Sequence, residues 1–174
     1  MQLPGTIRMT ADQYLQLGED PPGTRLELVD GEIAVGPGKY AGHSHTEVHL
    51  CCALLGHIKE HDLGWLLGGV DVVLSKYDVR RPDISFYKKS RIHLIKLDDA
   101  LRYAPDFCAE VTSESSNEVD RVHKFRQYAE AGIPYFWIID PEKESIEAFE
   151  LNKKPLRAGW LRSEVADHRV ATIS

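Results

Sequence analysis

Asp106-Phe107-Cys108-Ala109-Glu110-Val111-Thr112 is an apolar run with one acid set inside it, and the residues that follow decide the fold it serves. Ser115 or Ser116 can cap a helix whose inner face carries Val119, Val122, Phe125 and Ala129. Gly132 and Pro134 terminate that helix, and Tyr135-Phe136-Trp137-Ile138-Ile139 then runs as a continuous apolar strand to Asp140-Pro141. Strand, helix and strand in that order form a crossover, which is right-handed and lays its helix on one face of a sheet. The expectation is an α/β protein with a mixed sheet.

Working outward, Arg81-Pro82-Asp83-Ile84-Ser85-Phe86 is a second apolar strand with an acid at its start. Trp65–Leu67 and Val70–Leu74 read as further strands. Ser44–His61 has helical spacing, with Val48, Cys51, Cys52, Leu55 and Ile58 on one side and Gly64 as its stop. Thr10 is placed to cap a short helix, ended by Pro21-Pro22-Gly23. Arg25–Val29, Asp30-Gly31 and Glu32–Val35 give a hairpin signal, because Asp-Gly suits a type I′ turn. Ser145–Leu151 alternates, as an outer strand does, and the tail from Asn152 is expected to add one more strand or a loose end.

The 174 residues, 43% hydrophobic and 28% charged, suit a single globular domain spanning 1–174. No apolar run reaches membrane-spanning length and the N-terminus lacks a signal-peptide pattern, so a cytoplasmic protein with no membrane partner is expected. Cys51, Cys52 and Cys108, an odd count without CxxC spacing, read as buried reduced thiols. A net charge of −6 does not favour non-specific nucleic-acid binding, yet Lys76, Arg80, Arg81, Lys88, Lys89, Arg91 and Lys96 face only Asp78 and Asp83 within their own segment. That excess is either a solvated edge or a phosphate-facing patch.

A carboxylate in a buried strand is costly unless it is paired, hydrogen-bonded or bound to a metal. If their strands are neighbours, Asp83 and Glu110 can converge on one hard divalent cation, which points to a metal-dependent phosphodiester-cleaving centre. A cationic side chain should complete it by placing the attacking water or steadying the transition state. Thr112, two residues after Glu110 on the same strand face, cannot do this. Lys124 on the following helix can reach back, and Asp120, Lys124 and Tyr128 share one helix face at i, i+4 and i+8. The competing reading is a surface Asp120–Lys124 ion pair of about 0.3–0.5 kcal/mol.

The segments Arg25–Glu32, Arg81–Ile84, Ala104–Asp106, Glu110–Ser113 and Gly132–Pro141, with Asp120, Lys124 and Tyr128, together resemble the Uma-type family of restriction-endonuclease-like proteins in the PD-(D/E)XK nuclease superfamily. The resemblance covers about residues 10 to 150. It implies a restriction-endonuclease-like αβββαβ core over 43–151, an added N-terminal helix and hairpin over 10–36, and a C-terminal extension over 152–174. It also implies a DNA endonuclease using Mg²⁺ or Mn²⁺, with Asp83 and Glu110 as the metal-binding acids. Lys124 would be a catalytic lysine that has moved from the strand, where Thr112 now stands, to the helix. Cutting both strands needs two sites, so a homodimer is expected. The alternative is a catalytically degenerate nucleic-acid or protein interaction module on the same fold, which Thr112 favours. Glu27 is either an extra acid at the site or a surface hairpin carboxylate. His45 stands where the family tends to carry a histidine, and Asp120 and Tyr128 would support Lys124.

The remaining histidines offer other metals. His43, His45 and His49 cluster at the start of the first long helix, where His43 and His49 read as partly exposed, and His45 and His49, at i and i+4, could share one. His57-Ile58-Lys59-Glu60-His61 matches the H-x-x-E-H pattern of inverted zinc peptidases. Its helix stops within three residues, at Gly64, and the pair is better explained by the favourable placement of histidine near a helix C-terminus.

Overall fold

The computed structural model describes residues 8–112, 118–150 and 171–173, with the backbone alone described for 118–120 and 171–173. Thr10 opens α1 (Ala11–Tyr14) with a capping box: its hydroxyl accepts from the Gln13 N–H, and the Gln13 side chain accepts from the Thr10 N–H. The hairpin β1 (Thr24–Val29) and β2 (Glu32–Pro37) turns at Asp30-Gly31, where φ is 53° and 80°. Two successive positive φ values are what a type I′ turn requires. Then come α2 (Ala41–Glu60), β3 (Gly64–Gly68), β4 (Val72–Ser75), β5 (Asp78–Arg80) and β6 (Ile84–Lys88), with a 3₁₀ turn over Lys89–Leu94. The crossover follows as β7 (Phe107–Val111), α3 (Glu118–Glu130) and β8 (Tyr135–Asp140), and the described chain closes with β9 (Ser145–Glu150) and β10 (Ala171–Ile173).

The strands form two sheets, ordered β2-β1-β5-β4 and β10-β9-β8-β7-β6-β3. All named pairings are antiparallel except β7 with β8, joined by α3 as the crossover pattern requires. The expected mixed α/β class therefore holds, with a difference in how the strands are shared. The Val70–Leu74 segment does not join the sheet of Ile84–Tyr87. It pairs with β5, a strand not anticipated, and through it with the hairpin.

Helix α2 covers one face of the six-stranded sheet, where Leu50, Cys51 and Leu54 pack on Ile84, Ala109, Val111 and Ile139. Helix α3 covers the other, where Phe125 and Tyr128 pack with Cys108, Ile133, Phe136 and Ile138. Both helices are rotated from the faces that apolar spacing alone selects. In α2, Val48 and Cys52 are exposed, and the inward positions are His43, Glu47, Leu50, Cys51, Leu54 and Ile58. In α3, Val122 is exposed while Lys124, Phe125 and Tyr128 turn inward. Nor are all three thiols buried: Cys108 is, Cys51 is half-buried and Cys52 is exposed, since neighbours on a helix point about 100° apart.

Candidate metal centre

Strand β7 decides where the two acids go. Alternation puts Cys108 and Glu110 on the α3 face and Ala109 and Val111 on the α2 face. Glu110 is buried, and its two oxygens accept from α3: Oε1 from the Tyr128 hydroxyl at 2.6 Å and Oε2 from Lys124 Nζ at 3.1 Å. Lys124 thus points back over the sheet. Burial pushes the Glu110 carboxyl up even with the Lys124 ammonium beside it.

Asp83 lies just before β6, fully buried, beside the end of β7. Its Oδ2 accepts from the Val111 N–H at 2.8 Å, so it is tied to the same strand that carries Glu110. Its Oδ1 is met by Arg25 Nη1 at 3.1 Å, Lys39 Nζ at 3.3 Å and His43 Nε2 at 3.0 Å. Burial works against its charge, but the His43 contact, the Arg25 guanidinium and the Val111 amide prevail and hold Asp83 well below the usual carboxylate range. Asp83 is thus kept ionised, whereas at Glu110 burial prevails and the carboxyl is raised.

One turn along α2 from His43, Glu47 points to the same space and accepts from Lys39 Nζ at 2.5 Å. His43, Glu47 and Asp83 each offer a donor atom, and these atoms all lie within 4.8 Å of one another. Glu110 is not part of this cluster, which shares Asp83 with the expected Asp83–Glu110 pair. His43 Nε2 is buried and, though close to Asp83, lacks the alignment of a hydrogen bond; it has no hydrogen-bond partner among the described residues. A buried ring nitrogen aimed at two carboxylates is a ready metal ligand, and the residues present fit a divalent cation.

Of the supporting residues, Glu27 is no surface carboxylate. It is buried, accepts from Arg80 Nη1 at 2.7 Å and the Arg81 N–H at 3.0 Å, and lies 3.8 Å from Arg25 Nη2. Burial alone would raise its pKa, but Lys124, Arg80 and Arg25 lower it. Tyr128 is in contact through Glu110. His45 is not: it is exposed and its ring lies against that of His49, 4.3 Å between centroids. The histidine at the site is His43, two residues earlier and on the inward face of α2. The Asp120 side chain lies outside the described residues. Thr112, as anticipated, supplies no cation; its hydroxyl donates to the Ile139 carbonyl at 3.1 Å.

The H-x-x-E-H stretch brings no third ligand to itself among the described residues, its two imidazoles stacking edge to face at 4.5 Å. Much of the basic segment pairs with acids from elsewhere in the chain: Arg80 with Glu27, Arg81 with Asp71 and Asp20, Lys89 with Asp62, and Arg91 with Asp106.

A mixed sheet clasped by α2 and α3, with buried acids and a lysine at the strand ends, defines a restriction-endonuclease-like fold. Residues 11–173 match the profile of the Uma2 family, described as "Putative restriction endonuclease", and the chain belongs to that family, within the PD-(D/E)XK-like nuclease superfamily. Its fold is similar to the crystal structure of "a putative nuclease belonging to DUF820 from Anabaena variabilis", with a TM-score of 0.71, 20% identity, and coverage of 84% of this chain and 82% of that one. No curated protein matches the sequence.

Proposed function

We propose that this chain is a divalent-metal-dependent endonuclease that hydrolyses phosphodiester bonds in DNA. The observation that carries the reading is the cluster of buried His43 and Asp83 with half-buried Glu47, together with the pairing of Glu110 on β7 with Lys124 on α3. Asp83, Glu47 and His43 would hold the ion. Carboxylate oxygens suit Mg²⁺ and Mn²⁺ alike, and the imidazole tilts the set toward Mn²⁺. A metal bound there would polarise a phosphoryl oxygen and ease ionisation of a water.

The chain's own groups supply the rest. Glu110 fixes the Lys124 ammonium, with Tyr128 holding the other Glu110 oxygen so that the pair keeps one geometry. Lys124 orients the attacking water and offsets negative charge as the phosphorane develops. Arg25 bonds to Asp83 and lies near Glu27, limiting repulsion among the clustered acids. A double-strand cutter would act as a homodimer presenting two such sites. Among the described residues no helix is long and apolar enough to cross a membrane.

Plasmid nicking with Mn²⁺ or Mg²⁺ tests the reading. The wild type should nick, and Asp83→Ala at matched folding should not. Equal cleavage by both would assign the activity to a contaminant. Absence of cleavage together with retained DNA binding would favour the non-cleaving module, to which Thr112 lends its weight.

A further inference from the structure

The most unusual neighbour of the metal cluster is a cation already in it. Lys39 follows the hairpin and precedes α2, and its ammonium stands 2.5 Å from Glu47 Oε2 and 3.3 Å from Asp83 Oδ1. These two residues belong to the trio whose donor atoms converge within 4.8 Å, and the third, His43, has its Nε2 buried there with no hydrogen-bond partner among the described residues. An ion bound to both oxygens needs the volume that the ammonium takes. A bound ammonium is a poor substitute for a metal, because it does not use an imidazole lone pair as a metal would.

We infer that Lys39 is the resident counter-ion of the metal site: it keeps Glu47 and Asp83 together in the metal-free protein, and a divalent cation binds by displacing it. The inference rests on the metal reading above. The lysine lowers the repulsion between two closely placed acids and so keeps the ligands organised. It also competes with the metal. If it occupies the site about nine-tenths of the time, the apparent metal affinity is weakened about tenfold. Its side chain is 29% exposed, so the displaced ammonium has a short path to solvent.

Two readouts on the full chain test this without using cleavage. The first is amine acetylation of wild-type protein, quantified at Lys39 by mass spectrometry with and without saturating Mn²⁺. Displacement predicts several-fold faster labelling of Lys39 with Mn²⁺. The second is calorimetric titration of Mn²⁺ into wild type, Lys39→Ala, Lys39→Gln and Asp83→Asn. The Lys39 variants should bind about tenfold more tightly, and Asp83→Asn should lose binding. If Mn²⁺ binds in an Asp83-dependent way but Lys39 labelling is unchanged or slower, or the Lys39 variants bind no more tightly, the inference is overturned and the metal site stands. If neither wild type nor the Lys39 variants bind Mn²⁺, both fall together.

Discussion

At the scale of single residues, the site separates two acids that look equivalent in the sequence. Asp83 sits among cationic groups and a backbone amide and stays ionised, while Glu110 is enclosed by apolar side chains, a tyrosine hydroxyl and one ammonium. This divides their work. Asp83 belongs to the candidate metal cluster with His43 and Glu47, and Glu110 faces Lys124. It follows that Lys124→Met should lower cleavage by about 10²-fold or more, as loss of one fixed electrostatic group does, while leaving Mn²⁺ affinity within about threefold. Cleavage rates and a metal titration on the same variant check this. A variant that loses metal binding along with cleavage would place Lys124 in the metal's own surroundings instead. Asp83 and Glu110 were legible in the sequence as charges amid apolar neighbours, and Lys124 by its helical reach back toward the acid-bearing strand. His43 and Glu47 were not, because a charged residue on a half-polar helix looks like any solvated one.

Elements explain that blind spot. Apolar periodicity assumes that the inward stripe of a helix is apolar. In α2 the stripe begins with His43 and Glu47, so spacing read from Val48 and Cys52 turns the helix too far. In α3 the inward Lys124 and Tyr128 displace Val122 in the same way. Helix α2 is misread where it carries the trio, since His43 and Glu47 there answer to Asp83 rather than to the core, whereas the shared face of Lys124 and Tyr128 on α3 does turn to Glu110. Turns and strands were more legible because their signals are local: Thr10 with Gln13, Asp30-Gly31, and the runs of β7 and β8. The strand β5, three residues long and carrying Asp78 and Arg80 about a single Val79, has too little pattern to be seen. Its side chains answer to distant partners, Asp78 and Arg80 both bonding Gln127 on α3. The hinge between α2 and β3 is set just as strictly. Gly64 has φ +155°, and a Cβ there would stand 1.9 Å from the Tyr87 carbonyl oxygen on the paired strand. Gly64→Ala should therefore cost about 3 kcal/mol through backbone strain and overpacking, read by urea unfolding. A change below about 0.5 kcal/mol, the range of ordinary surface substitutions, would show that β3 does not approach β6 so closely.

For the whole molecule, the site is a product of assembly. Glu27 and Arg25 come from the hairpin, Lys39 from the segment after it, His43 and Glu47 from α2, Asp83 from the approach to β6, Glu110 from β7 and Lys124 from α3. The hairpin reaches the six-stranded sheet's acids only because it pairs with β5 and thereby lies across the chain segment that delivers Asp83. That long-range placement has no local signature, which is why the hairpin read as an addition to the core and Glu27 as either a site acid or a surface one. The proposed function requires that this assembly hold one divalent ion between α2 and the start of β6. Crystals soaked in Mn²⁺ and measured at an anomalous-scattering wavelength test it most directly. The account predicts a single peak in contact with Asp83 Oδ1, Glu47 Oε2 and His43 Nε2, with the Lys39 ammonium moved away. A peak bridging Asp83 and Glu110 with His43 out of contact, or no peak at Asp83 at all, would contradict it.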